Sequence, residues 1–269
     1  MTHLRLGISP CPNDTFAFHG IMERKVDLRG LEFDIALLDV QQLNDGLAND
    51  RFDVAKASFH AAMLMADRFG VLPAGAALGF GVGPLLVAGK PGRRLFNDSR
   101  VLCPGPTTTA TLLFRALHPN VREIDHAVFS DIVPALVRAD FDFGVLIHEG
   151  RLTYERDGLF LVEDLGTSFE ELAHAPIPLG GILARLDLPQ DVPGRVTAAL
   201  RDSIAYGWAN REETLTTIRH YAQEMDEAVI WPYVELYVND HTVDLGEDGA
   251  RALRILAQRA GLTPVRILE

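Results

Sequence analysis

Over its first two thirds this chain alternates apolar runs of strand length with segments patterned at the helical period, and that alternation is its strongest constraint on fold. The strand-like runs are Leu4–Ser9, Leu31–Asp39, Asp53–Ser58, Pro84–Ala88, Arg100–Cys103, Ile124–Val128, Phe143–His148, Leu159–Val162 and Ile177–Ala184. Helical segments lie between them at Thr15–Arg24, Val40–Asn49, Phe59–Arg68, Thr108–Leu117 and Asp131–Ala139. Strands linked through helices run parallel and are covered on their faces, so the rhythm predicts an α/β fold with mostly parallel sheets. Past Pro193 the rhythm stops. Arg195–Trp208, Glu212–Gln223, Glu227–Val238 and Glu247–Ala260 carry helical spacing with no strand among them, which predicts a helical C-terminal block.

Two extended segments share one texture. Gly79-Phe80-Gly81-Val82-Gly83-Pro84 runs into the apolar Leu85–Gly89, and Pro176-Ile177-Pro178-Leu179-Gly180-Gly181 runs into Ile182–Ala184. They predict two crossings between an outer α/β domain, residues 1–88 plus 186–269, and an inserted α/β domain, residues 89–185. Paired crossings act as a hinge, and a hinged pair of domains closes on a ligand cleft between them.

With 269 residues, 48% hydrophobic and 23% charged, the chain has core enough for that arrangement. Its net charge of −12 argues against nucleic acid, which is gripped by clustered Lys and Arg. The N-terminal residues enter a strand pattern without a basic leader or a long apolar stretch, so the expected location is cytoplasmic, with no membrane association. Cys11 and Cys103 are the only cysteines. They are not expected to form a disulfide in such a compartment, and no histidine spacing completes a metal site around them.

The residues that can carry chemistry cluster where strands end. Ser9-Pro10-Cys11-Pro12-Asn13-Asp14-Thr15-Phe16 follows the first strand. Its prolines cannot continue a ladder, and Asn13 or Asp14 is expected to cap the helix that follows. Cys103-Pro104-Gly105-Pro106-Thr107-Thr108-Thr109-Ala110 is a second such turn. There Gly105 permits close backbone approach, and the threonine hydroxyls and free amides of a helix start suit a carboxylate or phosphate. The missing Gly-Lys-Ser/Thr ending excludes a P-loop. Ser58 closes a third strand and serves equally well as a plain helix cap or as a cleft hydroxyl. His148 follows a buried-looking strand, where an imidazole can act as a general base or be held structurally. The other histidines read as structural, His19 and His60 being the nearest to exceptions. Trp208, Trp231, Tyr233 and Tyr237 fall at helical spacing and are expected to pack in the core or an interface.

The opening Ser9–Phe16 run resembles that of the 1,4-dihydroxy-6-naphthoate synthase family of the futalosine route to menaquinone. The resemblance continues through Gly81-Val82-Gly83-Pro84-Leu85, Gly105 with Thr108-Thr109-Ala110, Ile147-His148-Glu149 with Arg151 and Thr153-Tyr154, and Pro178–Arg185, and covers essentially the whole chain. It implies a two-domain fold like the type II periplasmic binding proteins, used by a cytoplasmic lyase. The implied substrate is a small-molecule carboxylate, cyclic dehypoxanthinyl futalosine, cleaved to 1,4-dihydroxy-6-naphthoate with no metal and no redox cofactor. His148 matches the family's proton acceptor. Lys56, Ala57 and Ser58, with Thr108 and Thr109, match its substrate-contacting segments. Asn13, Asp14 and Ser58 are suited to sugar hydroxyls. Some family members carry a histidine where this chain has Thr107. A homodimer is the one protein assembly left open. The rival readings are a non-catalytic solute-binding protein for a small organic acid, chorismate dehydratase, and an enzyme using Cys11 as nucleophile.

Overall fold

The structure, a computed structural model, describes residues 2–148, 150–222 and 226–269. β1 (Thr2–Ile8) passes through α1 (Pro12–Met22) to β2 (Leu31–Leu37), its parallel neighbour. α2 (Val40–Ala48) leads to β3 (Val54–Ser58), parallel to β1 on the other side. The capping box of Asp39 with Gln42 starts α2, as the sequence Asp-x-x-Gln favours. After α3 (Phe59–Leu64) come two three-residue strands, β4 (Phe69–Val71) and β5 (Ala77–Gly79), too short to show a sequence pattern.

The chain then changes sheet. β6 (Leu85–Ala88), β7 (Val101–Cys103), α4 (Thr109–Leu117), β8 (Ile124–His126), α5 (Phe129–Val137), β9 (Phe143–Leu146), α6 (Gly150–Thr153), β10 (Phe160–Asp164) and α7 (Leu165–Ala173) form the second unit. Its strand order is β10-β6-β9-β7-β8. β11 (Ile177–Arg185) returns to the first sheet, whose order is β2-β1-β3-β11-β4 with β5 also on β11. The helical block follows as α8 (Val192–Ala209), α9 (Arg211–Tyr221), α10 (Glu227–Tyr237), α11 (Asp240–Val243) and α12 (Gly246–Ala260). The expected end of its second helix, Gln223, lies outside the described residues. Among the described residues no helix is long and apolar enough to cross a membrane.

The result is an α/β fold with two sheets, but both sheets are mixed rather than mostly parallel. β1 with β2 and β3, and β7 with β8 and β9, are parallel; every pairing of β6 and of β11 is antiparallel. These two strands enter from the other sheet instead of through a crossover helix, and so run in the opposite sense. They also shift the boundaries expected at residues 88 and 186. β6, expected in the 1–88 segment, pairs in the second sheet, and β11, expected in the 89–185 segment, pairs in the first. The glycine texture marks the crossings, while the apolar strand after each glycine run already belongs to the sheet being entered. In the first crossing a Cβ added at Gly83 would lie 2.2 Å from the Gly166 Cα at the start of α7, so backbone rests on backbone there.

α1 is buried along nearly its whole length, wedged between the first sheet and α8 and α9. Phe16 at its centre is fully buried, with Trp208 4.6 Å away between ring centroids. A side chain of that size contributes about 1.5–3 kcal/mol by leaving water. This packing fixes the start of α1, and with it the turn that faces the second sheet.

Candidate functional site

A cleft of about 670 Å³, counting its open mouth, lies where the strand ends of both sheets meet α10. Asn13, Asp14, Lys56, Ala57, Ser58, Thr108, Thr109 and His148 all line it. The candidate residues stand on or beside four different elements, α1, β3, α4 and the end of β9, and the fold brings them to one cavity.

On the first-sheet side the wall is ionic. Pro12 is the first helical residue of α1 and Cys11 its N-cap, with no side-chain cap. The expected capping role of Asn13 or Asp14 is therefore corrected. Proline needs no N–H partner at that position, so α1 begins earlier and leaves Asp14 in the first turn. The Asp14 carboxylate accepts from the Ser9 hydroxyl at 2.7 Å and the Ser9 amide at 3.2 Å. Its other oxygen meets Lys56 Nζ at 3.0 Å and accepts from Asn13 Nδ2 at 3.1 Å. Lys56 is 7% exposed and Asp14 3%, so each charge is out of water and held by the other. The Lys56 ammonium also donates to the Gly75 carbonyl at 3.3 Å.

The opposite wall is neutral. Thr108 caps α4, accepting from the Thr111 amide at 3.2 Å. Thr109 donates from its hydroxyl to the Leu179 carbonyl of β11 at 2.6 Å and accepts from the His60 amide at 3.3 Å. Both hydroxyls are thus committed to the protein. What this turn offers a ligand is the first amides of α4, which have no acceptor within the helix. Gly105 (φ +94°) lies so close to Gln41 that a Cβ would sit 2.4 Å from the Gln41 Oε1. Gln41 Oε1 in turn accepts from the Thr107 amide at 3.2 Å. Ser58 makes no side-chain cap on α3. It accepts from Asn44 Nδ2 at 3.3 Å, while the Ser58 amide donates to Asn44 Oδ1 at 3.0 Å. Ser58 thus lines the cleft without capping α3 through its side chain.

His148 stands at the junction of these walls. Its backbone is left-handed, φ +53°, a conformation that costs a non-glycine residue on the order of 1–3 kcal/mol and is kept only where the surroundings impose it. The Phe129 ring packs edge-on against the imidazole at 4.8 Å. Nδ1 lies 3.3 Å from the Tyr233 hydroxyl and 3.5 Å from the Cys11 sulfur. Nε2 is buried and has no hydrogen-bond partner among the described residues. Glu149, part of the motif around this histidine, lies outside the described residues. Arg151, two positions on, donates to the Gly83 carbonyl at 2.7 Å and to Asp164 at 2.5 Å, tying the segment to the crossing.

Four contributors escaped the sequence reading. Ser9 acts through Asp14, five residues on, while Gln41 and Asn44 act through hydrogen bonds to the Thr107 turn far along the chain, and only a buried polar position on a helix hints at Asn44. Tyr233 was expected in the core, where its ring does lie, 1% exposed; its hydroxyl nonetheless reaches the cleft. His19 and His60, the histidines nearest to exceptions, both bond within the protein. His19 bonds to Thr217 Oγ1 at 2.9 Å, and His60 donates to the Thr108 carbonyl at 3.3 Å. Burial holds both rings below the ordinary histidine value. Burial also pushes the Cys103 thiol up to about 12, leaving it protonated. Cys11 is absent from the cleft lining. Among the described residues no group of three or more His, Cys, Asp or Glu side chains is arranged to hold a metal ion.

Two mixed sheets joined by paired crossings, with a cleft between their strand ends, define a periplasmic-binding-protein-like fold. A Candida albicans gene product described as having the generic periplasmic binding protein structural fold superimposes with a TM-score of 0.68 at 12% identity, covering 98% of this chain and 92% of the other. A crystal structure from Archaeoglobus fulgidus is nearer, with a TM-score of 0.89, 32% identity and coverage of 96% and 97%. A family model described as menaquinone biosynthesis matches residues 4–261. The "1,4-dihydroxy-6-naphtoate synthase" of Thermus thermophilus is 40% identical over 96% of this chain and 94% of its own. The chain belongs to this menaquinone-biosynthesis family of 1,4-dihydroxy-6-naphthoate synthases, which are enzymes.

Proposed function

We propose that the cleft binds cyclic dehypoxanthinyl futalosine and cleaves it to 1,4-dihydroxy-6-naphthoate, as a cytoplasmic carbon–carbon lyase with His148 as proton acceptor. The observation that carries this reading is His148 in the cleft lining, its buried Nε2 atom unpaired among the described residues, beside a wall of polar groups already tied to one another. A neutral imidazole nitrogen so placed can take a proton from carbon next to a carbonyl-type group. Retro-aldol-like cleavage and elimination of the sugar-derived fragment follow, and aromatisation drives the later steps. The α4 amides receive the naphthoate-side carboxylate, since a helix start favours negative charge. The Ser58 hydroxyl and Asn13 serve the sugar side. Closure of the two sheet units about their crossings keeps water from the carbanion-like intermediate.

The test is direct. Purified protein is incubated with cyclic dehypoxanthinyl futalosine, and products are separated and weighed by mass spectrometry. A naphthoate product that depends on the protein is the expected result. A folded sample that binds the compound and returns it unchanged would make this a binding protein.

A further inference from the structure

We infer that Tyr233 is a positioning residue for His148: a chain of hydrogen bonds from the buried Lys56–Asp14 pair, through Asn13 and Tyr233, holds the imidazole proton on Nδ1 and leaves Nε2 bare. The functional meaning of this device rests on His148 being the proton acceptor; the tautomer it sets does not.

One set of directions satisfies every bond of this chain. Asp14 faces the Lys56 ammonium at 3.0 Å and the Ser9 hydroxyl and amide, all of them donors, so its carboxylate accepts. Asn13 Nδ2 donates to it at 3.1 Å, which turns the Asn13 carbonyl oxygen the other way. That oxygen accepts from the Tyr233 hydroxyl at 3.2 Å. The single phenolic proton is thereby used, and what Tyr233 presents to His148 Nδ1 at 3.3 Å is an oxygen lone pair. A bare Nδ1 would set two lone pairs against each other. A protonated Nδ1 makes a hydrogen bond, and the Cys11 sulfur at 3.5 Å tolerates it as a soft acceptor. The other tautomer would bury an Nε2–H with nothing to receive it, whereas a bare Nε2 is the form a base requires.

A histidine in water prefers its proton on the other nitrogen, so the device has work to do. It also links two parts of the chain that the sequence keeps apart. Asn13 stands on the first turn of α1 and Tyr233 on α10, and both line the same cleft as His148.

The experiment is a long-range 1H–15N correlation spectrum of histidine-labelled full-length protein at about pH 8, where histidine rings are neutral. His148 is assigned by its absence from His148→Asn. The expected wild-type pattern has the proton on Nδ1, and Tyr233→Phe shifts the population toward Nε2–H. In turnover of cyclic dehypoxanthinyl futalosine, Tyr233→Phe is expected to lower kcat by about 10–100-fold with KM within about twofold, the usual consequence of losing the outer partner of a working histidine. A wild-type proton on Nε2 overturns the inference. So does a Tyr233→Phe protein in which tautomer and kcat are both unchanged, or a Cys11→Ala protein that alone reverses the tautomer. A wild-type protein that holds Nδ1–H, loses it in Tyr233→Phe and yet converts no substrate supports the hydrogen-bond chain and removes the proposed reaction instead.

Discussion

Two turns face each other across the cleft, built alike and employed differently. Each follows a strand, carries prolines, and opens a helix. At the turn before α1 the polar side chains are spent on one another around a buried ion pair, and that network ends on His148. At the turn before α4 the hydroxyls are spent on the scaffold, Thr108 on its own helix and Thr109 on β11 of the other sheet. The first turn organises a proton; the second docks one sheet unit against the other and offers bare amides. Polar residues at a strand's end thus do not declare their use. What they are bonded to does.

Four substitutions would break or sharpen this contrast. The largest effect is expected at the end of the first network. His148→Asn keeps a residue that tolerates the left-handed backbone but removes the base. It should lower turnover by about 10²–10⁴-fold while calorimetry still detects substrate binding. Equal loss in a variant of the Thr109 turn would erase the distinction. Next comes the ion pair. Lys56→Met leaves Asp14 buried and uncompensated, and should cost about 3–5 kcal/mol in urea unfolding.

The docking turn should respond less. Thr109→Val strands the Leu179 carbonyl, so unfolding stability should drop by about 1–3 kcal/mol with a modest change in kcat. The smallest effect separates the turns by acid. The His60 ring beneath Thr108 is held below the ordinary histidine value by burial. An unfolded ring takes its proton near pH 6.5 while the folded one waits for lower pH, so the unfolded state binds more protons in between. This contribution is full above about pH 6.5 and is lost as pH falls through the folded value. His60→Gln should flatten that part of the urea-midpoint profile. His19 adds a loss of the same sign, since burial lowers it too, so a residual slope is expected.

The sequence reached the strand–helix alternation, the helical block and the cleft residues because each leaves a local mark: a period, a proline turn, a run of threonines. It misplaced β6 and β11, because an apolar strand carries no sign of which sheet it joins. It missed β4 and β5 because three residues hold no period. It read Tyr233 as core packing, which is right for the ring and silent about the hydroxyl. Lys56 stood out only by resemblance, for a lysine in a buried strand makes physical sense once Asp14 is found across from it.

The return of β11 has a consequence for synthesis. Ser58 on β3 pairs with Gly180, so one edge of the first sheet stays unsatisfied until most of the polypeptide has left the ribosome. At ~5–20 residues per second that wait is on the order of ten seconds. Throughout it the nascent protein carries an open template for mispairing, beside apolar residues such as Val54 and Ala55. Chaperone dependence of its yield in cells should therefore exceed what the stability of the finished molecule suggests.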